Sequence, residues 1–255
     1  DTSQALKMPG VLKVITAADI PGKNKFGQII KDYPTLVHKR IRTTGDVIAL
    51  VVAESRAQAL AALPKIDLTL EDYPALYDPE NALKEGATLI NPEHGSNICN
   101  YHCVRTGDVQ ASEKDADLII EQDFSTSHIE HAYLEPEAAL CHPRPDGVME
   151  VIGSMQHPFS TRRFVASTLG MELKDVEVKT VPMGGGFGGK DDTAALVCAR
   201  AALCAHLLGR PVKLTYSREM SMRESYKRHP YILQYRMGIK YDGRIIFVKV
   251  RMVAD

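Results

Sequence analysis

Five glycines interrupted by one aromatic residue, Gly184-Gly185-Gly186-Phe187-Gly188-Gly189, stand between two strongly patterned segments. On one side Val176-Glu177-Val178-Lys179-Thr180-Val181 alternates with the period of a strand. On the other, Thr193 to Leu208 is rich in Ala and Leu at helical spacing and stops at Gly209-Arg210-Pro211, with Asp191 or Asp192 available as its N-cap. A strand feeding a glycine loop that opens a helix brings main-chain N–H groups within reach of a ligand, because glycine tolerates positive φ and carries no Cβ. The helix N-terminus beyond adds free donors and a favourable dipole for anionic or electronegative atoms. Gly184, Gly186 and Gly189 satisfy the dinucleotide fingerprint G-x-G-x-x-G, but that site wants an acidic residue about 20 positions on, and Thr193 to Arg218 contains none. Gly184 through Lys190 also satisfies most of a Walker A loop, yet Asp191 stands where the magnesium-binding Ser or Thr belongs, and its charge would repel phosphates. Neither nucleotide reading survives.

Composition narrows the field further. Of 255 residues, 44% are hydrophobic, enough for a sizeable core in one large or two ordinary domains. Lys and Arg number 31 against 32 Asp and Glu, a net charge of -1 that argues against nucleic acid or an anionic membrane as the main partner. The mild basic bias of Lys23, Lys25, Lys31, Lys39, Arg40 and Arg42 reads as a solvated face or a subunit contact. No apolar run approaches the roughly 20 residues that span a bilayer, and no basic, apolar leader opens the chain. The five cysteines fit no regular disulfide framework and are expected to be reduced, placing the protein in the cytoplasm. Cys99, His102 and Cys103 could supply metal ligands, though no second ligand pair follows. Beginning at Asp1 and ending within a strand pattern, the chain reads as an excised segment of a longer one.

The pattern along the chain predicts strands at residues 11–16, 47–52 and 66–70, with a helix from Glu54 to Leu63, and punctuation by Pro and Gly marks a linker at about 80–100. Further strands are expected from Leu118, over 148–154, over 176–181, and in a hairpin of 235–239 and 245–250 around Asp242-Gly243. A helix is expected from Phe159 to Leu169, ending at Gly170. The Ala/Leu/Cys stripe of 194–208 reads as a core-facing helix.

Val181-Pro182-Met183-Gly184-Gly185-Gly186-Phe187-Gly188-Gly189-Lys190-Asp191 resembles the signature loop of the molybdenum hydroxylases, the xanthine dehydrogenase and aldehyde oxidase family. Gln156, following a strand about thirty residues upstream, matches that family's cofactor-contacting glutamine. His131-Ala132-Tyr133-Leu134-Glu135-Pro136-Glu137 and Arg228-His229-Pro230 resemble further family segments. Asp1-Thr2-Ser3, Met8-Pro9-Gly10-Val11 and Ala17-Ala18-Asp19-Ile20-Pro21-Gly22 resemble its small hammerhead domain, so the likeness runs over the whole chain.

The resemblance implies an α+β protein with an a/b hammerhead domain over 1–80, a linker over 81–100, and the first part of a molybdopterin-binding domain over 101–255. It implies molybdenum held by a molybdopterin dithiolene, in a plain or cytosine dinucleotide form, without a protein ligand to the metal. Gln156 and the Phe187 N–H would then hydrogen-bond an oxo group, with Gly185, Gly186 and Gly188 allowing close approach. Asp191 falls where xanthine-oxidising relatives carry a substrate-contacting Glu, and equally suits a helix N-cap. Lys190 is expected to be structural, and His128 and His131 to be partly buried strand-end or interface residues. The family's general-base Glu belongs to a segment beyond Asp255, so no catalytic residue is expected here and the chain alone would be inactive; Glu130, Glu135 and Glu137 do not take that role. Iron–sulfur clusters and FAD would sit on partner chains or domains. The implied reaction is hydroxylation of a purine-like or other N-heterocycle with oxygen from water. An aldehyde oxidase or carbon monoxide dehydrogenase type, and a non-catalytic protein retaining the fold, stay open beside it.

Overall fold

The computed structural model describes all residues from 1 to 255. In chain order the elements are α1 (Ser3–Leu6), β1 (Val11–Thr16), β2 (Ala49–Ala53), α2 (Arg56–Ala62), α3 (Pro79–Ala82), α4 (Val109–Glu113), β3 (Leu118–Ser125), β4 (Ala138–Pro143) and β5 (Met149–Gly153). They continue as α5 (Pro158–Leu169), β6 (Val176–Thr180), α6 (Asp192–Leu208), β7 (Val212–Thr215), α7 (Arg218–Glu224), β8 (Tyr231–Ile239) and β9 (Ile245–Ala254). The fold is α+β, and the chain divides into two compact units: Asp1–Leu70 with Glu130–Lys227, and Glu71–Ile129 with Arg228–Asp255.

In the first unit a four-stranded sheet has the order β6-β5-β4-β7. Strands β5 and β6 run parallel, with Gly153 opposite Thr180, while β4 is antiparallel to both β5 and β7. A parallel pair needs a crossover, and α5 supplies it. Helix α6 packs against this sheet and against α5, and thirteen of its residues, Thr193 through Ala205, are buried. The sequence suggested one core-facing stripe; instead the helix is enclosed on every side, because its many alanines let strands and helices approach all round it. One turn carries Arg200 into that core at 0% exposure. Its guanidinium donates to the Thr35 carbonyl at 2.8 Å and to the Tyr216 hydroxyl at 2.7 Å, and pairs with the Glu224 carboxylate of α7 at 2.5 Å. A charge so placed is tolerable only when paired and hydrogen-bonded. Strands β1 and β2 form a separate antiparallel ribbon whose inner residues, Ile15, Leu50 and Val52, join the same core.

One expectation fails here. Residues 66–70 alternate as a strand should, but only Asp67 meets a distant stretch of backbone, that of Asp1, and Leu68 and Leu70 stay exposed. Conversely, β4 carries no clear alternation; lying between β5 and β7 and pairing with both makes it a strand.

The second unit is a three-stranded antiparallel sheet of order β3-β8-β9. Its hairpin turns at Asp242-Gly243, closed by the Lys240 N–H donating to the Arg244 carbonyl at 2.9 Å. All eight residues of β3 are exposed, and Phe247 is the sheet's buried anchor, lying against Gly238 and Ala116. Between Glu71 and Asp108, α3, a 3-10 turn at Pro92–His94 and the Asn97 amide, which bonds Ile90, Ala82 and Thr88, give the expected linker region local order.

Candidate functional site

Because β5 and β6 are parallel neighbours, their C-terminal ends lie side by side, and each runs into a loop that opens a helix. Ligands of parallel-sheet proteins collect at this end of the strands. The loop after β5 carries Ser154, Met155, Gln156 and His157 into α5; the loop after β6 is the glycine segment leading into α6. Thirty residues of sequence separation thus become direct contact.

Gln156 stitches the two loops together. Its Oε1 accepts the N–H groups of Gly188 at 3.0 Å and Lys190 at 3.3 Å, while its own N–H donates to the Lys190 carbonyl at 3.0 Å. The Nε2 amide makes no bond within the chain, so a fixed donor is left over. Inside the loop, the Gly189 N–H returns to the Gly186 carbonyl at 2.7 Å across a tight turn whose central residues, Phe187 and Gly188, have φ of 51° and 93°. That is a mirror-image turn, easy for Gly188 and costly for Phe187. Gly186 is required for another reason: a Cβ there would lie 2.6 Å from Gln156 Oε1. The Phe187 ring is 78% exposed. The N–H groups of Gly185, Gly186 and Phe187 bond no acceptor in the chain, so three successive donors stand open in a strained turn.

Both ends of the loop are held by Glu135. Its Oε2 accepts the Gly184 N–H at 2.6 Å and its Oε1 pairs with Lys190 Nζ at 3.2 Å. Burial opposes the Glu135 charge, but hydrogen bonds from Ser154, Gly184 and Lys190 outweigh it and hold the carboxyl below its ordinary range. Lys190 is fully buried, with Ser154 Oγ at 3.2 Å and its ammonium 4.9 Å from the centre of the Tyr133 ring. Behind them the Tyr133 hydroxyl donates to Glu137, whose carboxyl burial pushes upward. The clamping role of Glu135 lies in no local pattern of the sequence.

Asp191 sits at the N-cap position of α6, yet its side chain caps nothing. It faces His157 instead, 3.3 Å from Nε2, beside Gln156. Burial raises its pKa, the His157 charge lowers it, and Asp192 raises it again, for a net upward shift. Asp192 does not cap either; its carboxylate accepts from the Gln28 amide at 2.8 Å. His131 lies against Gly189 with a buried Nδ1 that has no partner, and His128 is exposed beside the Asp255 carboxylate at 3.6 Å. Glu130 is occupied by Lys227 at 2.6 Å and Ser225. Cys99 and Cys103 are exposed, all five cysteines are free, and no group of three or more His, Cys, Asp or Glu could hold a metal ion. No helix is long and apolar enough to cross a membrane. The site therefore offers an organised set of donors and no set of direct metal ligands.

Comparison with known proteins gives the family. Residues 90–255 match the family described as Molybdopterin cofactor-binding domain, and residues 1–74 match Aldehyde oxidase and xanthine dehydrogenase, a/b hammerhead domain. The chain belongs to the molybdenum hydroxylase family, to which xanthine dehydrogenases and aldehyde oxidoreductases also belong, and carries a hammerhead and a molybdopterin-binding domain. It is 36% identical over 255 residues to the nicotinate dehydrogenase large molybdopterin subunit of Eubacterium barkeri, covering all of this chain and 59% of that one. It is 34% identical over 254 residues to a probable xanthine dehydrogenase subunit of Bacillus subtilis, covering 100% of this chain and 34% of that protein. Among solved structures, the aldehyde oxidoreductase of Desulfovibrio gigas superposes with a TM-score of 0.89 at 30% identity, over all of this chain and 29% of that one.

The residues fit a molybdopterin-held metal group. Such a group brings its own sulfur ligands and presents electronegative atoms outward, and the open N–H groups of Gly185, Gly186 and Phe187 with the Gln156 amide are donors suited to them.

Proposed function

We propose that these residues form the part of a molybdenum-dependent oxidoreductase that seats the molybdopterin cofactor, and that the whole enzyme hydroxylates a purine-like or other N-heterocycle with oxygen from water. The observation that carries the reading is the row of three unpaired N–H groups beside the free Gln156 amide. When bound, molybdopterin would supply the two-electron redox chemistry. The chain's own part is orientation. Gln156 Nε2 and the Phe187 N–H would donate to electronegative atoms of the metal group, Gly185, Gly186 and Gly188 would let it approach, and the Glu135–Lys190 clamp holds the loop so that no reorganisation is needed. Asp191, beside His157, would accept a ring N–H of a heterocycle. The names of the nicotinate and xanthine dehydrogenase relatives support that substrate class. An aldehyde substrate is the second reading, favoured by the likeness to the Desulfovibrio aldehyde oxidoreductase.

The residue that moves the substrate proton, a general-base Glu, would lie outside these 255 residues, and iron–sulfur and flavin centres would sit on partner chains or domains. The division into a hammerhead domain over 1–80, a linker over 81–100 and a cofactor domain over 101–255 is part of the same proposal.

The test is molybdenum and pterin analysis of the complete native complex, with the released nucleotide identifying a cytosine dinucleotide form. Near-equal molybdenum and pterin are expected, followed by turnover of nicotinate or a purine. A complex from molybdate-replete cells that holds neither defeats the proposal. Turnover of aldehydes alone selects the second reading. In the Asp191→Asn variant the heterocycle KM should rise while molybdenum content stays unchanged.

A further inference from the structure

Lys190 carries a positive charge into the floor of the glycine loop, at 0% exposure. Its ammonium has three N–H groups, and three neighbours take them: Glu135 Oε1 at 3.2 Å, Ser154 Oγ at 3.2 Å, and the face of the Tyr133 ring. Its main chain is tied as firmly, donating to Gln156 Oε1 at 3.3 Å and accepting the Gln156 N–H at 3.0 Å. The charge is thus fixed close to the open donors. One carboxylate, that of Glu135, separates it from Gly184, the residue before the open N–H of Gly185.

Holding the loop together does not by itself ask for a charge. A buried ion pair stabilises a fold weakly, and apolar residues of similar volume often replace one at no cost. The pair is also lopsided. The Lys190 side chain is fully enclosed, whereas 37% of the Glu135 side chain is exposed, so water screens the carboxylate and not the ammonium. Burial opposes the Glu135 charge, but hydrogen bonds from Ser154, Gly184 and Lys190 keep its pKa low, so the carboxyl stays ionised. Asp191 and Asp192, the acids at the start of α6, are partly exposed and turned to His157 and Gln28. A net positive field remains on the inner side of the loop, reinforced by the N-terminal end of α6.

We propose that Lys190 is a positioning residue whose buried charge raises the reduction potential of the metal group seated against the loop. The inference rests on the functional reading above, that the loop seats a molybdopterin-held metal. Such a group presents electronegative atoms outward and gains electrons during turnover. A fixed positive charge stabilises the electron-richer state more than the oxidised one. The water-poor interior carries that effect across the carboxylate and the loop. Lys190 thus does at a distance what the open N–H row does at contact: it opposes the build-up of negative charge without moving.

The test is redox titration of the complete complex, followed by electron paramagnetic resonance of the metal, with molybdenum and pterin measured in every sample. Lys190→Met, close to Lys in length and uncharged, should lower the potential. At a fixed applied potential the oxidised-to-reduced ratio should rise about 10-fold. Glu135→Gln removes the opposing charge and should raise the potential. Opposite signs separate a charge effect from damage to the loop, which would move both variants the same way. Where one variant loses molybdenum, the sign in the other decides. Unchanged potentials, shifts of one sign, or loss of molybdenum from both variants overturn the inference and leave Lys190 a structural post. The functional reading then still stands on a wild-type complex that holds molybdenum and pterin. A wild-type complex holding neither overturns both.

Discussion

Two sheets in this chain are built on opposite principles. The four-stranded sheet of the first unit lies against a helix buried from Thr193 to Ala205, and its strands β4 and β5 bury Ala139, Cys141, Met149 and Val151 almost completely. The three-stranded sheet of the second unit has longer, better-matched ladders, yet leaves Ile119, Phe124, Val248 and Met252 exposed. Main-chain pairing defines a sheet's geometry; burial of apolar surface stabilises it. The glycine loop hangs from the buried sheet. A site that must hold donors in place belongs on the part of the fold that cannot shift.

That contrast can be broken in steps. The largest effect is expected from Glu224→Ala, which strands Arg200 as an unpaired charge in the core; losing one partner of such a pair costs about 3–5 kcal/mol. Native-state hydrogen exchange of the α6 amides should register it, with the β8 and β9 amides much less affected. Leu203→Ala follows, at about 2–5 kcal/mol by cavity formation, in the same assay.

A smaller effect is a pH dependence inside the buried unit. Glu137 has a folded pKa raised above its ordinary 4.5, because burial disfavours its charge. The stability it contributes is complete below about 4.5 and is lost as pH rises through the raised value. Glu135 behaves oppositely: its pKa is lowered, so its contribution is present above 4.5 and disappears as pH falls through the depressed value. Glu137→Gln, which mimics the neutral acid, should abolish the loss on the alkaline side and leave the loss on the acid side. A pH titration of unfolding that keeps both slopes in this variant would contradict the assignment. Smallest of all, Arg236→Ala removes half-exposed ion pairs to Glu121, across the second sheet, and to Glu113 of α4. A change of about 1 kcal/mol or less is expected in β8 exchange, shrinking further in high salt.

Much of the architecture was legible in the chain. Strand β1, helices α2, α5 and α6, strand β6 and the Asp242-Gly243 hairpin all follow from periodicity and turn residues. Residues 66–70 show the limit of that reading, since alternation makes a strand only where a neighbour offers an edge. Strand β4 shows the converse, as Ala-Ala-Leu-Cys-His-Pro becomes a strand by lying between β5 and β7. Asp191 was readable as a helix cap, and its turn toward His157 was not, because the choice depends on a residue 34 positions earlier arriving beside it.

The sequence by itself determined the local events: where the glycine loop begins and ends, that a strand precedes it and a helix follows, and that no nucleotide-binding acid or magnesium-binding hydroxyl accompanies it. These depend on φ/ψ freedom and hydrophobic period, which neighbouring residues set. Only the tertiary structure decided that Gln156 spends its oxygen on Gly188 and Lys190 and keeps its amide free, and that Glu135 grips both ends of the loop. Hydrogen bonds between residues 32 to 49 positions apart are fixed by how β4, β5 and β6 lie together, and that follows from packing of the whole core.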